Sequence, residues 1–455
     1  MTTVDTTISE LRSRVSGEIL LSDDAGYETG TTTFYGGFEQ WPAAVIRPAN
    51  AADVAAVVTT VADSGAELAV RSGGHSLAGH SLSDGGIVLD LGAMRSLDID
   101  PEDRTAWAET GLTAAEYTEA AGAHGLVTGF GDTGSVGIGG ITLAGGIGFL
   151  ARRNGMTIDD LLAAEIVTAD GSILEVDDQH HPDLFWAIRG GGGNFGVATR
   201  FRYRLHELPT VTGGLLILPA TPETISGFLA AAAEAPDAVT TIANVMLAPP
   251  MPFLPEELHG QLVLMGIICD SGSGPGAEAR LAPFRDLAEP LADMVRPIPY
   301  PEMYVPEERD FHPTAVGRTM FVDAIDAESV ETILTYITES DAPMRVAQLR
   351  VLGGAMARVP ADATAFAHRL RPYMASVAAF YEDPAEVPAR TRWVADFASK
   401  LQRGAEGAYV GFLANEGEAR LRQAYPQPTW DRLVEVKRRY DPDNVFSRNH
   451  NIAPA

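Results

Sequence analysis

The chain has 455 residues, of which 45% are hydrophobic and 21% are charged, a composition typical of a globular protein with about two or three domains. Its formal net charge is −28, because 61 acidic side chains oppose 33 basic ones. A surface of that sign repels phosphate groups, which argues against nucleic acids and anionic membranes as partners. No run of residues approaches the roughly 18 apolar positions that a membrane-spanning helix needs.

The single cysteine and the N-terminal residues bear on the cellular compartment. Cys269 is the only cysteine, so an intramolecular disulfide and a cysteine-based zinc site are both excluded. It follows the apolar run Leu262–Ile268, which predicts a buried and unreactive thiol. Residues Met1–Arg14 are charged and contain no apolar stretch, so we predict no secretory signal and expect a cytoplasmic protein.

The first part of the chain alternates predicted helices with predicted strands. Asn50 can cap a helix whose valines, from Val54 to Val61, recur at helical spacing. Short strands are predicted at Leu68–Val70 and Ile87–Asp90, each before a loop. This alternation indicates a mixed helix and sheet fold.

Two local signals follow in chain order. Thr113 and Glu116 have the spacing of a capping box, and the helix that they open is expected to end at Gly125. The dipeptide Asp170-Gly171 separates two apolar runs and predicts a β-hairpin.

The remaining elements lie on either side of a change in composition at Pro209. Before it, a short helix begins at Pro182, and strict alternation predicts a half-buried strand over Val197–Leu205. After it, the chain is rich in Pro and Ala and is expected to form a second domain of sheet and covering helices. The last predicted helix carries Lys437 on its apolar face and ends before Pro442, after which the chain is extended.

Two segments are dense in glycine. The first is the loop Arg71–Ser76, with the sequence RSGGHS, and the second is Gly129–Gly148. Glycine lets backbone amides approach a ligand closely, and successive amides that point inward suit an anion such as a diphosphate. Tight turns without a ligand explain the same density, so both interpretations stay open. His75 lies beside two glycines, where a bulky partner could approach it.

A third glycine cluster, Gly190–Gly196, contains the pattern G-x-G-x-x-G. That pattern binds dinucleotides where it follows a strand and opens a helix. Here a helix is predicted before it and the strand Val197–Leu205 after it, so a Rossmann-type site is not expected. His180 and His181 precede a helix start, which favours surface exposure, and no metal site is predicted.

Several segments together resemble the FAD-linked oxidases of the vanillyl-alcohol-oxidase type, and within them the berberine-bridge-enzyme-like and 6-hydroxynicotine-oxidase-like group. The RSGGHS loop near one end and the sequence YDPDNVFSRNHNI near the other are specific in combination. The resembling segments are Pro48–Val54, Arg71–Leu91, Gly129–Gly148, Gly190–Thr199, Leu352–Val359, Thr364–Arg369 and Lys437–Ile452.

The resemblance implies an α+β fold with an FAD-binding domain in two parts. Residues 1–208 would form its N-terminal part, and residues 413–455 would return to it. The inserted residues 209–412 would form an α+β substrate-binding domain, an antiparallel sheet covered by helices.

The resemblance also implies that FAD is held by one covalent bond, from His75 to the 8α carbon of the flavin. Many family members add a second bond from a cysteine, and Thr133 stands at that position here. Val136 matches the position that gates oxygen, and a small residue there favours an oxidase. Asn449 and Asn451 would reach the flavin, with turn formation as their alternative. The other implied FAD-binding positions are Arg71, Ser72, Gly73, Gly74, Ser76, Gly139, Gly140, Gly145 and Val197.

Two segments are candidates for the catalytic groups. The family often supplies a tyrosine from a Tyr-x-Asn segment. The matching segment here is Tyr409-Val410-Gly411, in which glycine replaces the asparagine. Because of this departure, a role for Tyr409 as the base and a place for it in the core are equally open. On a strand predicted over Met344–Val351, Gln348 and Arg350 share one face. They could line the substrate side of the flavin, with Gln348 as a catalytic candidate, or face solvent, which we favour.

Three functions stay open. In the first, hydride leaves a C–H bond next to an alcohol or amine for flavin N5, a base takes the heteroatom's proton, and O2 accepts the electrons as H2O2. The substrate would be a small alcohol, sugar or amine. The second is a dehydrogenase with another electron acceptor, and the third is a flavin-binding protein with little turnover.

Overall fold

The computed structural model describes residues 3–272, 276–306, 311–404 and 406–454. The strands in these ranges are β1 (Glu18–Leu20), β2 (Ala44–Arg47), β3 (Leu68–Arg71), β4 (Ile87–Asp90), β5 (Leu97–Asp100), β6 (Thr105–Glu109), β7 (Leu126–Val127), β8 (Leu161–Val167), β9 (Ile173–Val176), β10 (Val197–Arg204), β11 (His206–Glu207), β12 (Thr210–Pro219), β13 (Val239–Leu247), β14 (Leu262–Asp270), β15 (Ala292–Asp293), β16 (Arg296–Pro299), β17 (Ala315–Val322), β18 (Arg345–Val351) and β19 (Tyr373–Phe380). The α-helices are α1 (Thr3–Arg14), α2 (Tyr27–Thr31), α3 (Ala51–Ser64), α4 (Ala114–Gly122), α5 (Ile138–Ala144), α6 (Ala151–Asn154), α7 (Pro182–Ile188), α8 (Pro222–Glu234), α9 (Ala277–Arg285), α10 (Ala327–Glu339), α11 (Ala355–Arg358), α12 (Val387–Leu401), α13 (Glu418–Ala424) and α14 (Gln427–Tyr440).

The N-terminal sheet has the strand order β1-β2-β4-β3, with β2, β4 and β3 parallel and β1 antiparallel to β2. Helix α3 packs on it. The Asn50 side chain accepts a hydrogen bond from the Asp53 amide and begins this helix, and the valines from Val54 to Val61 are at most 1% exposed. The predicted helix and both predicted strands are confirmed.

The second sheet is antiparallel, with the order β5-β6-β10-β8-β9. Its β8–β9 hairpin turns at Asp170-Gly171, as predicted. The capping box of Thr113 and Glu116 begins α4, but this helix ends at Gly122 rather than at Gly125. The chain tightens there into successive turns, in which the Gly125 amide donates to the Gly122 carbonyl and Gly125 adopts a φ of 69°.

The inserted sheet begins at β12, directly after the change in composition at Pro209. Within the described ranges it is an eight-stranded antiparallel sheet with the order β15-β12-β14-β13-β18-β19-β17, and β16 also pairs with β12. Helices α8, α10 and α12 cover one face and share a hydrophobic core with it. Cys269 in β14 is fully buried, as predicted, and burial raises the pKa of its thiol to about 12, which disfavours the reactive thiolate.

The C-terminal chain returns to the N-terminal half, so the α+β fold with an inserted sheet is as predicted. Helix α14 packs against α7, and the side chain of Lys437 is fully buried. Its Nζ atom donates to the carbonyl oxygens of Asn194, at 2.8 Å, and Phe446, at 3.0 Å, and forms an ion pair with Asp441.

The domain limits at 208 and 412 stay a prediction. No helix in the described part of the chain is long and apolar enough to cross a bilayer.

Candidate active site

A cavity of about 330 Å³ lies where both glycine segments, the C-terminal tail and the chain around Tyr409 meet. Its walls come from segments that are far apart in the sequence, so only the folded chain forms it. The sequence-predicted positions that line it are Ser72, Gly73, Gly74, His75, Ser76, Thr133, Val136, Gly139, Gly140, Val197, Tyr409 and Asn449.

Four predicted site residues lie outside the cavity lining. The Arg71 guanidinium donates to the backbone carbonyls of Gly30 and Thr32. Gly145 lies behind the wall, where an added Cβ would meet Met156 at 2.6 Å. Asn451 and Gln348 do not line the cavity either. Direct FAD contact by Arg71, Gly145 and Asn451 stays a prediction.

The two glycine segments touch each other through their backbones. A Cβ added to Gly73 would lie 2.2 Å from the Gly137 nitrogen, so a larger residue is excluded at this contact. By contrast, a Cβ on Gly140 or Gly193 would meet nothing within 4 Å, so these backbones face open space. Tight packing therefore explains one part of the glycine density, and access to the cavity explains another.

His75 is fixed on one wall of the cavity. Its Nε2 atom lies 2.9 Å from the Ser135 hydroxyl oxygen, and its ring stacks on Phe34 with centroids 4.3 Å apart. Burial, assisted by the positive charge of Arg71, lowers the pKa of His75 to about 4. The imidazole is therefore neutral near pH 7, the state in which a ring nitrogen keeps the lone pair that a new covalent bond requires.

Two further histidines, His80 and His450, line the same cavity. The rings of His80 and His450 meet edge to face, with centroids 4.6 Å apart, and the Nε2 atom of His450 lies 3.1 Å from the Leu413 carbonyl oxygen. Burial, followed by the proximity of His450 and Arg448, lowers the pKa of His80 to about 3. The pair is uncharged near pH 7 and adds two polar, neutral rings to the wall.

The low pKa of His80 predicts a loss of stability in acid. Between the unfolded value of 6.5 and about 3, the unfolded chain binds a proton that the folded chain does not. The free energy of unfolding should therefore fall as the pH drops below 6.5, by up to about 1.4 kcal/mol per pH unit from this group. Urea unfolding at pH 7 and at pH 5 measures this loss. Between these pH values, the free energy of unfolding of His80→Phe should fall by about 1–2 kcal/mol less than that of the unaltered chain. Equal losses in both chains would contradict the prediction.

A buried ion pair joins the second glycine segment to the inserted sheet. Arg350 in β18 is 4% exposed and donates from a terminal guanidinium nitrogen to the Asp132 carboxylate, and Asp132 lines the cavity. The preference for solvent exposure of Gln348 and Arg350 was therefore wrong for Arg350. Strand β18 lies between β13 and β19, and its face opposite the covering helices is closed by the glycine segment.

Tyr409 lines the cavity and is 2% exposed. Its hydroxyl oxygen accepts a hydrogen bond of 2.9 Å from the Gly146 amide, and burial raises the pKa of the phenol to about 12. It precedes a 3-10 turn, Val410–Phe412, rather than lying in a strand. A Cβ on Gly411 would lie 2.8 Å from the Tyr409 ring, so this packing explains why glycine replaces the asparagine of the Tyr-x-Asn segment.

The tail closes one side of the cavity through Asn449. Its amide nitrogen donates to the carbonyl oxygens of Gly193, at 3.3 Å, and Phe446, at 3.0 Å. Its Oδ1 atom is buried and has no protein donor among the described residues. A buried amide oxygen without a partner costs free energy unless a ligand supplies a donor.

Comparisons with known proteins agree with this arrangement. Two family models match the chain, the FAD binding domain over residues 42–177 and the domain described as berberine and berberine like over residues 408–453. The (R)-6-hydroxynicotine oxidase of Paenarthrobacter nicotinovorans is 30% identical over 97% of this chain and 97% of its own. The chain belongs to the FAD-linked oxidases of the berberine-bridge-enzyme-like type.

One further relative and one solved structure extend the family match. The xylooligosaccharide oxidase of Thermothelomyces thermophilus is 26% identical over 94% of this chain and 90% of its own. The crystal structure of 6-hydroxy-D-nicotine oxidase from Arthrobacter nicotinovorans has a TM-score of 0.86 and 26% identity, over 97% of this chain and 98% of that one. This berberine-bridge-enzyme-like chain is therefore an FAD-dependent enzyme, as the sequence predicted.

The residues that line the cavity of this oxidase family member are chemically suited to bind FAD. The open backbones of Gly140 and Gly193 leave room for a bulky group, and the Asn449 Oδ1 atom offers an acceptor. Sequence reasoning missed Asp132 and His80, which also line the cavity. Both lie within predicted glycine segments or close to them, and a search for titratable residues beside glycines would have found them.

Proposed function

We propose that this chain is an FAD-dependent oxidase that holds its flavin through a single covalent bond from His75. The observation that carries the proposal is the neutral imidazole of His75 on the cavity wall. Because Ser135 engages Nε2, Nδ1 is the ring nitrogen left for the bond to the 8α carbon. Thr133, at the cysteine position of the family, has no thiol, which supports one link rather than two.

The remaining lining residues would fall into three groups according to the part of FAD that each contacts. Backbone groups from Ser72 to Ser76, with Gly139 and Gly140 opposite, would bind the diphosphate. Val197 would contact the adenine side, and Asn449 would donate to or accept from the flavin. Arg71, Gly145 and Asn451 would complete the FAD site from the loop, the glycine segment and the tail, to which they respectively belong.

Bound FAD would accept two electrons from a substrate C–H bond next to an alcohol or amine, which is chemistry that no side chain supplies. The chain's part is to bind and orient the substrate and to exclude water. Tyr409 and Ile147 close the wall on the side of the inserted sheet, and Val136 leaves a small side chain where oxygen would approach. We assign Gln348 a positioning role, since its Oε1 atom accepts from Arg350 and its side chain lies outside the lining.

Tyr409 should act as a hydrogen-bonding wall residue rather than as a base. Because its phenol has a pKa of about 12, it stays protonated throughout the pH range in which such an enzyme works. Tyr409→Phe should leave the pH dependence of flavin reduction between pH 6 and pH 9 unchanged. It should cost about 1–3 kcal/mol of stability, because the Gly146 amide loses its acceptor. A changed pH profile, followed by stopped-flow absorbance, would show that the phenol does titrate.

Oxygen as the electron acceptor is supported by the relatives' names and by Val136. The test mixes the purified yellow enzyme with xylobiose, 6-hydroxynicotine and benzyl alcohol without air, and then admits oxygen. We expect at least one compound to bleach the flavin and one H2O2 to form for each substrate consumed. Bleaching without peroxide would support the dehydrogenase instead, and no bleaching by any compound would support a flavin-binding protein with little turnover.

The substrate class that we propose is a small alcohol, sugar or amine. The proposed location is the cytoplasm, supported by the single cysteine, Cys269, which is buried as a free thiol.

A further inference from the structure

One carboxylate faces the cavity. Asp132 is the only acidic residue among the lining residues in the described chain, and its side chain is 20% exposed. His75, another lining residue, has a neutral ring because burial lowers its pKa to about 4. Among the described lining residues, Asp132 is therefore the acidic group that a ligand can meet, and Arg448 is a basic one.

The positive partner of Asp132 lies behind it. The Arg350 side chain is only 5% exposed, against 20% for Asp132, so the carboxylate rather than the guanidinium contacts the cavity. Arg350 bonds one carboxylate oxygen, Oδ2. No donor among the described residues bonds the other, Oδ1. The ion pair thus leaves one acceptor atom available to a ligand.

A hydrogen-bonded chain fixes the guanidinium in turn. Gln348 Oε1 accepts from the Arg350 Nε atom at 3.0 Å, and Gln348 Nε2 donates to Asn244 Oδ1 at 3.0 Å. Gln348 and Asn244 face each other across the pairing of β18 and β13. Because both strands lie in the interior of the sheet, the acceptor is held by a rigid support, as a binding group needs to be.

We propose that the Oδ1 atom of Asp132 accepts the hydrogen bond of the substrate's hydroxyl or ammonium group, and that Arg350 is the positioning residue that holds this carboxylate in place. The inference rests on the proposed function and specifies its substrate. A fixed carboxylate binds donors through charge-assisted hydrogen bonds, and in a partly desolvated site it repels an anionic group that lies directly beside it. The substrate is therefore neutral or cationic and carries an O–H or N–H donor, and carboxylates are rejected.

The test reads binding from the initial change in the visible absorption of the FAD-loaded enzyme, recorded without air and before any bleaching of the flavin. Benzylamine, a cation near pH 7, and benzoate, an anion of similar size, are the probes. We expect the unaltered enzyme to bind benzylamine at least about tenfold more tightly than benzoate, and Asp132→Asn to lose this preference. Asp237→Asn removes the exposed partner of Arg358 and should leave the preference unchanged.

Variants of Arg350 separate positioning from a general structural role. Arg350→Met should weaken benzylamine binding by about tenfold, and Arg350→Lys, which keeps the charge, should recover part of it. Equal binding of both probes, an unchanged preference in Asp132→Asn, or no spectral change with either probe would overturn the inference. A purified chain without FAD would instead overturn the proposed function.

Discussion

His75→Ala is expected to release all of its yellow chromophore when the protein is precipitated in acid, whereas the unaltered chain should retain the chromophore in the pellet. The alanine variant keeps the glycine loop but lacks the only imidazole that is stacked on Phe34 and bonded to Ser135. Without that nitrogen no bond to the 8α carbon can form, and FAD is held only by noncovalent contacts. Absorbance of the supernatant and pellet near 450 nm, about where flavins absorb, measures the difference.

The matched control is His80→Ala, which removes another neutral histidine from the same cavity. This variant should keep its flavin in the pellet. If His75→Ala retained the chromophore, or if the unaltered chain released it, the covalent bond to His75 would be ruled out. If both histidine variants released it, the loss would report damage to the cavity rather than the missing bond.

Lys437→Met should be among the most destabilising single substitutions in this chain. It removes the buried cation that pairs with Asp441 and leaves that carboxylate without a counter-charge at 0% exposure. Breaking a buried ion pair on one side costs about 3–5 kcal/mol, a large part of the roughly 5–15 kcal/mol that stabilises a folded domain. Urea unfolding, followed by tryptophan fluorescence, should show this loss as a lower midpoint.

The same substitution should also weaken flavin binding, because Lys437 connects the Asn194 and Phe446 carbonyls and thereby holds the tail beside the cavity. Lys400→Met removes an exposed lysine from the last turn of α12 and serves as the control. The control should change the free energy of unfolding by less than about 0.5 kcal/mol. Equal midpoints for the two variants would refute the role of Lys437 as a clamp.

The elements that the sequence predicted correctly depend on neighbouring residues. The cap at Asn50, the capping box of Thr113 and the turn at Asp170-Gly171 each act over a few positions, so a single sequence contains them. The end of α4 was misplaced because His124 and Gly125 adopt turns that a glycine signal alone does not locate.

The parts of the site that the sequence did not predict depend on distant residues. Asp132 and Arg350 are 218 positions apart, and only the packing of the inserted sheet on the glycine segment shows that they form a pair. For the same reason, the period-two pattern of β18 correctly predicted that Gln348 and Arg350 share one face of the strand. The pattern could not show that Arg350 on this face contacts the second glycine segment through Asp132. The stacking of Phe34 on His75 has no local signal at all.

The tail contact has a consequence for the order of events during biosynthesis. Lys437 and Asn194 are separated by 243 positions, and the whole inserted sheet is synthesised between them. Contacts of such long range form slowly, since the loop between them must close first. We expect the cofactor to be captured only after the ribosome has passed Lys437, so that molecules whose translation stalls before this residue accumulate as apoprotein.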